Sequence, residues 1–137
     1  MPGEHSLTAL LAGMQPELQA GEFVFCHRPA ASLADHVALN PLGVFVEDEG
    51  LTLILPRAVA EGTGLDFNGV FRQITLRVHS SLQAVGLTAA VAGRLTECGI
   101  SANVVAACFH DHIFVPAERA DEALQVLTAL QSGYPGK

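Results

Sequence analysis

Ile74, Leu76 and Val78 alternate with Thr75, Arg77 and His79, a period of two that predicts a strand covered on one face, with the other face open to water or a partner. From Leu87 the period lengthens. Leu87, Val91, Leu95 and Cys98 recur at helical spacing, and Gly99 followed by Ile100 predicts a left-handed C-cap with Ile100 packing back on Leu95. Two starts compete for this helix: a capping box of Ser80 with Gln83, or a later start after Gly86, which is preferred because the regular pattern begins at Leu87. Asn103 to Phe109 is almost uninterruptedly apolar and predicts a strand covered on both faces, one by helices and the other by a second sheet or subunit. His110-Asp111-His112 breaks that run. Ile113-Phe114-Val115 resumes it as a short strand ended by Pro116, which makes a hairpin. Ala120, Ala123, Leu124, Leu127 and Leu130 then form a helical stripe, with Glu118 and Asp121 in the first turn, where carboxylates complement the helix dipole.

The first half repeats this plan imperfectly. Strands are predicted at Glu22 to Cys26, Gly43 to Glu47 and Leu51 to Leu55, with Glu47-Asp48-Glu49-Gly50 as a tight turn and a short helix at Arg57 to Glu61. Leu53-Ile54-Leu55-Pro56-Arg57 parallels Ile113-Phe114-Val115-Pro116-Ala117: each ends a hairpin strand in proline and opens a helix. The stretch between Pro29 and Pro41 is too short and broken for a long crossover helix, so a partial helix is assigned at Leu33 to Leu39. Another helix runs from Ser6 to about Met14. Gly62 to Gly69, rich in glycine, is the linker candidate. The predicted fold is α+β: a ferredoxin-like (βαββαβ-type) sandwich in two tandem units, residues 1–65 and 66–137, with antiparallel sheets and helices on one face.

With 137 residues, half of them hydrophobic, the chain can bury a core without metal or disulfide staples. A net charge of -7 from 14 acidic and 7 scattered basic residues argues against nucleic-acid partners. No apolar run approaches a membrane span, and no secretory signal pattern opens the chain; the expected location is the cytoplasm. Cys26, Cys98 and Cys108 are odd in number, lack CxxC spacing and sit in apolar segments, as packing residues do.

The chemistry concentrates in the loop Ser80 to Leu87. Two serine hydroxyls, the unpaired N–H groups of a helix start and a glycine that admits close approach suit the carboxylate of a small ligand. The plain alternative is that the serines are caps and the glycine a turn requirement. His110, Asp111 and His112, with His79 as a further member, form a rival metal-site candidate of nitrogen and oxygen ligands, although a tight turn works against a shared centre. Cys26 and His27 are adjacent in a strand and point to opposite faces. Glu47 and Glu49 flank a turn and read as solvated rather than as a catalytic pair.

Ile74 to Val91, with Gly99-Ile100-Ser101-Ala102-Asn103-Val104-Val105-Ala106 and His110-Asp111-His112-Ile113-Phe114-Val115-Pro116, resembles the ACT-domain superfamily. In particular the chain is similar to small bacterial stand-alone proteins of two ACT-like units, built like the regulatory end of aspartate kinases. The resemblance is specific over Phe71 to Leu130 and looser in the first half. It implies a non-enzymatic sensor without cofactor, forming a homodimer, that binds an amino acid where the loop after the first strand meets the second strand of a neighbouring unit. On this chain those positions are Ser80, Ser81, Leu82, Val85, Gly86 and Leu87 from the loop, with Asn103 and Val104 from the strand. Glu47, Glu49 or Asp111 would answer the ligand's ammonium. The alternative is a ligand-free structural module; Leu82 or Val85 side chains filling the cleft would mark it.

Overall fold

The computed structural model describes residues 6–29, 32–79, 81–82 and 84–133. Ser80 and Gln83, which carry the capping-box reading, lie outside them. In chain order the elements are α1 (Leu7–Ala12), β1 (Pro16–Leu18), β2 (Phe23–Arg28), a 3-10 helix (Leu33–Leu39), β3 (Gly43–Glu47), β4 (Gly50–Pro56), α2 (Arg57–Gly62), β5 (Phe71–Leu76), α3 (Leu87–Glu97), β6 (Asn103–Ala106), β7 (Asp111–Pro116), a 3-10 turn (Ala117–Arg119) and α4 (Ala120–Ser132). They divide into two compact units, Gly21–Phe71 and residues 6–20 with 72–133.

In the unit Gly21–Phe71, β4 lies between β3 and β2, antiparallel to both. Its core joins Val24 and Cys26 of β2 to Leu51, Leu53 and Leu55 of β4 and Ala60 of α2. The β3–β4 turn closes at Glu47 and Gly50. Gly50 has φ +128°, and a Cβ there would stand 2.4 Å from the Arg28 carbonyl oxygen, so only glycine fits.

In the other unit β5 pairs antiparallel with β1 and neighbours β7, which pairs antiparallel with β6. Alternate residues Ile74 and Leu76 of β5 and Ile113 and Val115 of β7 meet Leu10 and Leu11 of α1, Leu87, Val91 and Leu95 of α3, and Ala123 and Leu127 of α4. The helices thus cover one face of this sheet. α3 ends as its sequence predicts: Gly99 has φ +72°, its N–H reaches the Thr96 carbonyl at 2.9 Å, and the Ile100 N–H reaches the Leu95 carbonyl at 2.9 Å, a Schellman ending. Gln131 of α4 holds the N-terminal segment, donating to the Ala12 carbonyl and accepting from the Gln15 N–H, each at 3.1 Å.

Two expectations are corrected. The alternation Ile74 to His79 predicts a strand with an open face, yet β5 ends at Leu76 and buries Gln73 and Thr75 as well as Ile74 and Leu76. The polar pair is buried because it is satisfied: Gln73 Nε2 and Thr75 Oγ1 donate to His112 Nδ1 at 3.0 and 3.1 Å. The apolar run Asn103 to Phe109 predicts a strand covered twice over. Instead β6 has only four residues at the end of the strand order, with Val104 turned toward the core and Asn103, Val105 and Ala106 exposed. Residues 107–109 are exposed too.

The internal repeat shows in three dimensions. Residues 51–60 and 111–120 follow the same succession of buried, half-buried and exposed positions. Pro56 (φ -55°, ψ 137°) and Pro116 (φ -53°, ψ 135°) make the same corner into a helical turn. In this register Leu51 of one unit corresponds to Asp111 of the other.

Candidate ligand site

Glycine chemistry sets the start of α3. Gly86 occupies the N-cap with φ 102° and ψ -21°, a conformation that disfavours side-chain-bearing residues, and no side chain caps the helix there. The first helical bond runs from the Ala90 N–H to the Gly86 carbonyl at 2.9 Å. The N–H groups of the preceding turn have no partner within the helix and carry the positive end of its dipole.

This helix start opens on a pocket of about 100 Å³. Ser81, Leu82, Ala84 and Gly86 of the loop, Leu87 and Thr88 of α3, and Ala106 and Asp111 of the β6–β7 hairpin line it. Ala106 and Asp111 face each other across the hairpin, which closes through the Ala107 N–H and the His110 carbonyl at 3.1 Å. Asp111 is 7% exposed, and no described residue hydrogen-bonds its carboxyl group. Burial pushes its pKa above the usual carboxylate range, against a smaller opposing effect of His112 and His110.

Of the positions expected from sequence, Ser81, Leu82, Gly86 and Leu87 come together here. Val85, 82% exposed, does not line the pocket. Asn103 gives its amide to the Phe114 carbonyl at 3.3 Å, and Val104 packs on the core. Ser80 lies outside the described residues. Among the three acids considered for the ammonium, Asp111 lines the pocket, whereas Glu47 accepts from Thr52 Oγ1 at 2.5 Å and Glu49 offers its carbonyl to His27 Nε2 at 2.8 Å. Leu82 lines the pocket while staying 65% exposed. Ala84, Thr88 and Ala106 were missed; pairing the hairpin about Asp111 would have found Ala106.

The histidines do other work. The pKa of His112 is lowered by burial first and by His110 second, and its Nδ1 accepts the bonds from Gln73 and Thr75. The His79 ring lies 5.4 Å from that of Phe109. Among the described residues no three His, Cys, Asp or Glu side chains gather around one point. A wider hollow of about 520 Å³ beside Glu22, Arg57 and Glu61 belongs to the unit Gly21–Phe71. Its guanidinium is already committed to both carboxylates, at 3.0 and 3.1 Å.

Two α+β units with antiparallel sheets, each turning a proline-ended strand into a helix, define a tandem module of ferredoxin-like architecture. Models of the ACT domain match residues 2–72 and residues 70–129, and the chain therefore belongs to the ACT-domain family, a family of regulatory modules. It is 50% identical to a Vibrio cholerae protein of unknown function whose crystal structure superposes with a TM-score of 0.84, over 91% of this chain and 95% of that one. The regulatory subunit of aspartate kinase from Thermus thermophilus, in its ligand-free form, shares the fold at 9% identity, with a TM-score of 0.65 over 86% of this chain and 97% of the other. E. coli aspartokinase III in complex with aspartate and ADP does so at 13% identity and a TM-score of 0.63, over 84% of this chain and 32% of that one. No curated protein sequence matches the chain.

Proposed function

We propose that the protein is a cytoplasmic amino-acid sensor, a homodimer whose pocket at the start of α3 takes the ligand and whose occupancy alters an interface. The observation that carries this reading is the pairing, across about 100 Å³, of an uncapped helix start with a buried acid. The helix N-terminus suits a carboxylate, and the open cleft leaves room for one. Apolar groups stand exposed around it: Leu82 and Phe109 at 65% and Val105 at 40%. A second copy covering these groups would link occupancy to assembly. Among the described residues no helix is long and apolar enough to cross a membrane.

The same exposed groups favour a second reading, a structural module that assembles without a ligand. Thermal unfolding of the purified protein against each proteinogenic amino acid separates the two. A ligand at about 100 times its dissociation constant adds about 2.7 kcal/mol, and replacement of Gly86 by valine abolishes that shift. Silence with every amino acid refutes the sensor and leaves the structural module.

A further inference from the structure

We infer that the ligand is a small α-amino acid of the glycine, alanine and serine class, that Asp111 holds its ammonium, and that only one of the two units carries this site. The inference rests on the sensor reading above and adds the ligand's class and its selecting residue.

The repeat supplies the first argument. Leu51 and Asp111 hold corresponding places at the head of β4 and β7, 3% and 7% exposed. Leu51 joins the apolar core of its unit beside Val24 and Leu53, which is what this position takes when the fold alone decides. An aspartate there costs stability, because a buried charge without a partner is expensive. Among the described residues only the weaker pull of His112 and His110 is set against that cost. No described residue donates to the carboxyl group, and burial lowers the pKa of the neighbouring His112, whose Nδ1 is engaged by Gln73 and Thr75. The missing partner is a cation that arrives from outside.

The second argument is the polarity of the pocket. Gly86, Leu87 and Thr88, at the helix start whose N–H groups have no partner within the helix, line the pocket together with Asp111. An α-amino acid presents these two charges in complementary order, one atom apart. The third argument is size. About 100 Å³ holds roughly three waters at about 30 Å³ each, enough for the backbone of an amino acid and a side chain of one or two heavy atoms. Ala84, Gly86 and Ala106 keep the walls close. In the unit Gly21–Phe71, Leu51 offers an ammonium no acceptor.

Isothermal titration of the 137-residue protein with glycine, L-alanine, L-serine, L-leucine and L-lysine, and with glycolate and L-lactate as analogues lacking the ammonium, tests this. The expected result is one site per chain, alanine binding at least about 30-fold tighter than lactate, the low end of the loss when one partner of a buried charge pair is removed, and leucine and lysine weaker than alanine. Asp111→Asn, nearly isosteric, brings alanine and lactate within about threefold of each other; a urea midpoint no lower than that of the native protein shows that it folds. Equal binding of alanine and lactate, discrimination surviving in Asp111→Asn, two sites per chain, or tighter binding of leucine or lysine would each overturn the inference while leaving the sensor reading in place. Absence of binding by all five overturns the inference, and silence of every proteinogenic amino acid in thermal unfolding refutes the sensor reading as well.

Discussion

Replacing Gly86 by alanine tests whether the site's backbone is held in a conformation that only glycine adopts freely. Two effects oppose the new methyl group. Its Cβ would lie 3.2 Å from Leu7 Cδ2, but that atom ends a flexible side chain that is 39% exposed and can swing aside. The φ of 102° cannot be relieved in this way, and holding an alanine in such a region costs about 1–3 kcal/mol. Backbone strain therefore dominates, and we expect a loss near 2 kcal/mol. At a urea slope of about 2 kcal/mol/M, the unfolding midpoint falls by about 1 M. Leu7→Ala identifies the source: if strain dominates, the losses of the single variants add in the double variant, whereas a steric cause lets Leu7→Ala restore Gly86→Ala. A change below about 0.5 kcal/mol in Gly86→Ala, or full restoration in the double variant, refutes the reasoning.

Asp111 is held above its ordinary range, so its contribution to stability is fully present below its unfolded pKa, near the reference 3.8, and is lost as pH rises through the folded value. Asp111→Asn should therefore be more stable than the native protein at pH 7, the gain vanishing toward pH 3.5; urea midpoints across that range decide, and an equal difference at both ends refutes it. His112 has the opposite sign: its pKa is lowered, so its contribution is present above the reference 6.5 and is lost as pH falls through the folded value. His112→Gln should flatten that acid-side decline in the same measurements. Gly93 lies inside α3 without a positive φ, and a methyl group added there would meet no atom within 4 Å, so Gly93→Ala should add about 0.8–1 kcal/mol, read as a rise of a few degrees in Tm; a fall refutes the geometry. Gly50→Ala, which drives a methyl group into backbone, should be among the most destabilising single substitutions, with loss of soluble protein or a sharply lowered Tm.

Local signals were legible where one residue's chemistry decides the backbone. β3 matches its predicted bounds, α3 starts after Gly86 and stops before the left-handed Gly99, and both prolines turn a strand into a helix. Signals that depend on a distant partner were not legible. Thr75 looks like the exposed half of an alternating strand until His112 arrives 37 residues later to accept its bond. β1, three residues opening on a proline, has no periodicity to read and exists because β5 offers it a ladder. The loop half of the pocket followed from glycine and helix-start chemistry. The Asp111 half needed the hairpin register, which brings the head of β7 opposite Ala106.

Leu10, Leu11 and Met14 bury themselves among residues that lie beyond position 72, and this separates the order of synthesis from the order of folding. At about 5–20 residues per second, the ribosome releases the first helix several seconds before α4 can receive it. The segment Gly21–Phe71, whose core residues are all its own, is complete long before then. A helix made before the segment Gly21–Phe71 is thus among the last to find its place, and a nascent chain carries an apolar α1 that a chaperone can hold until Gln131 closes over it.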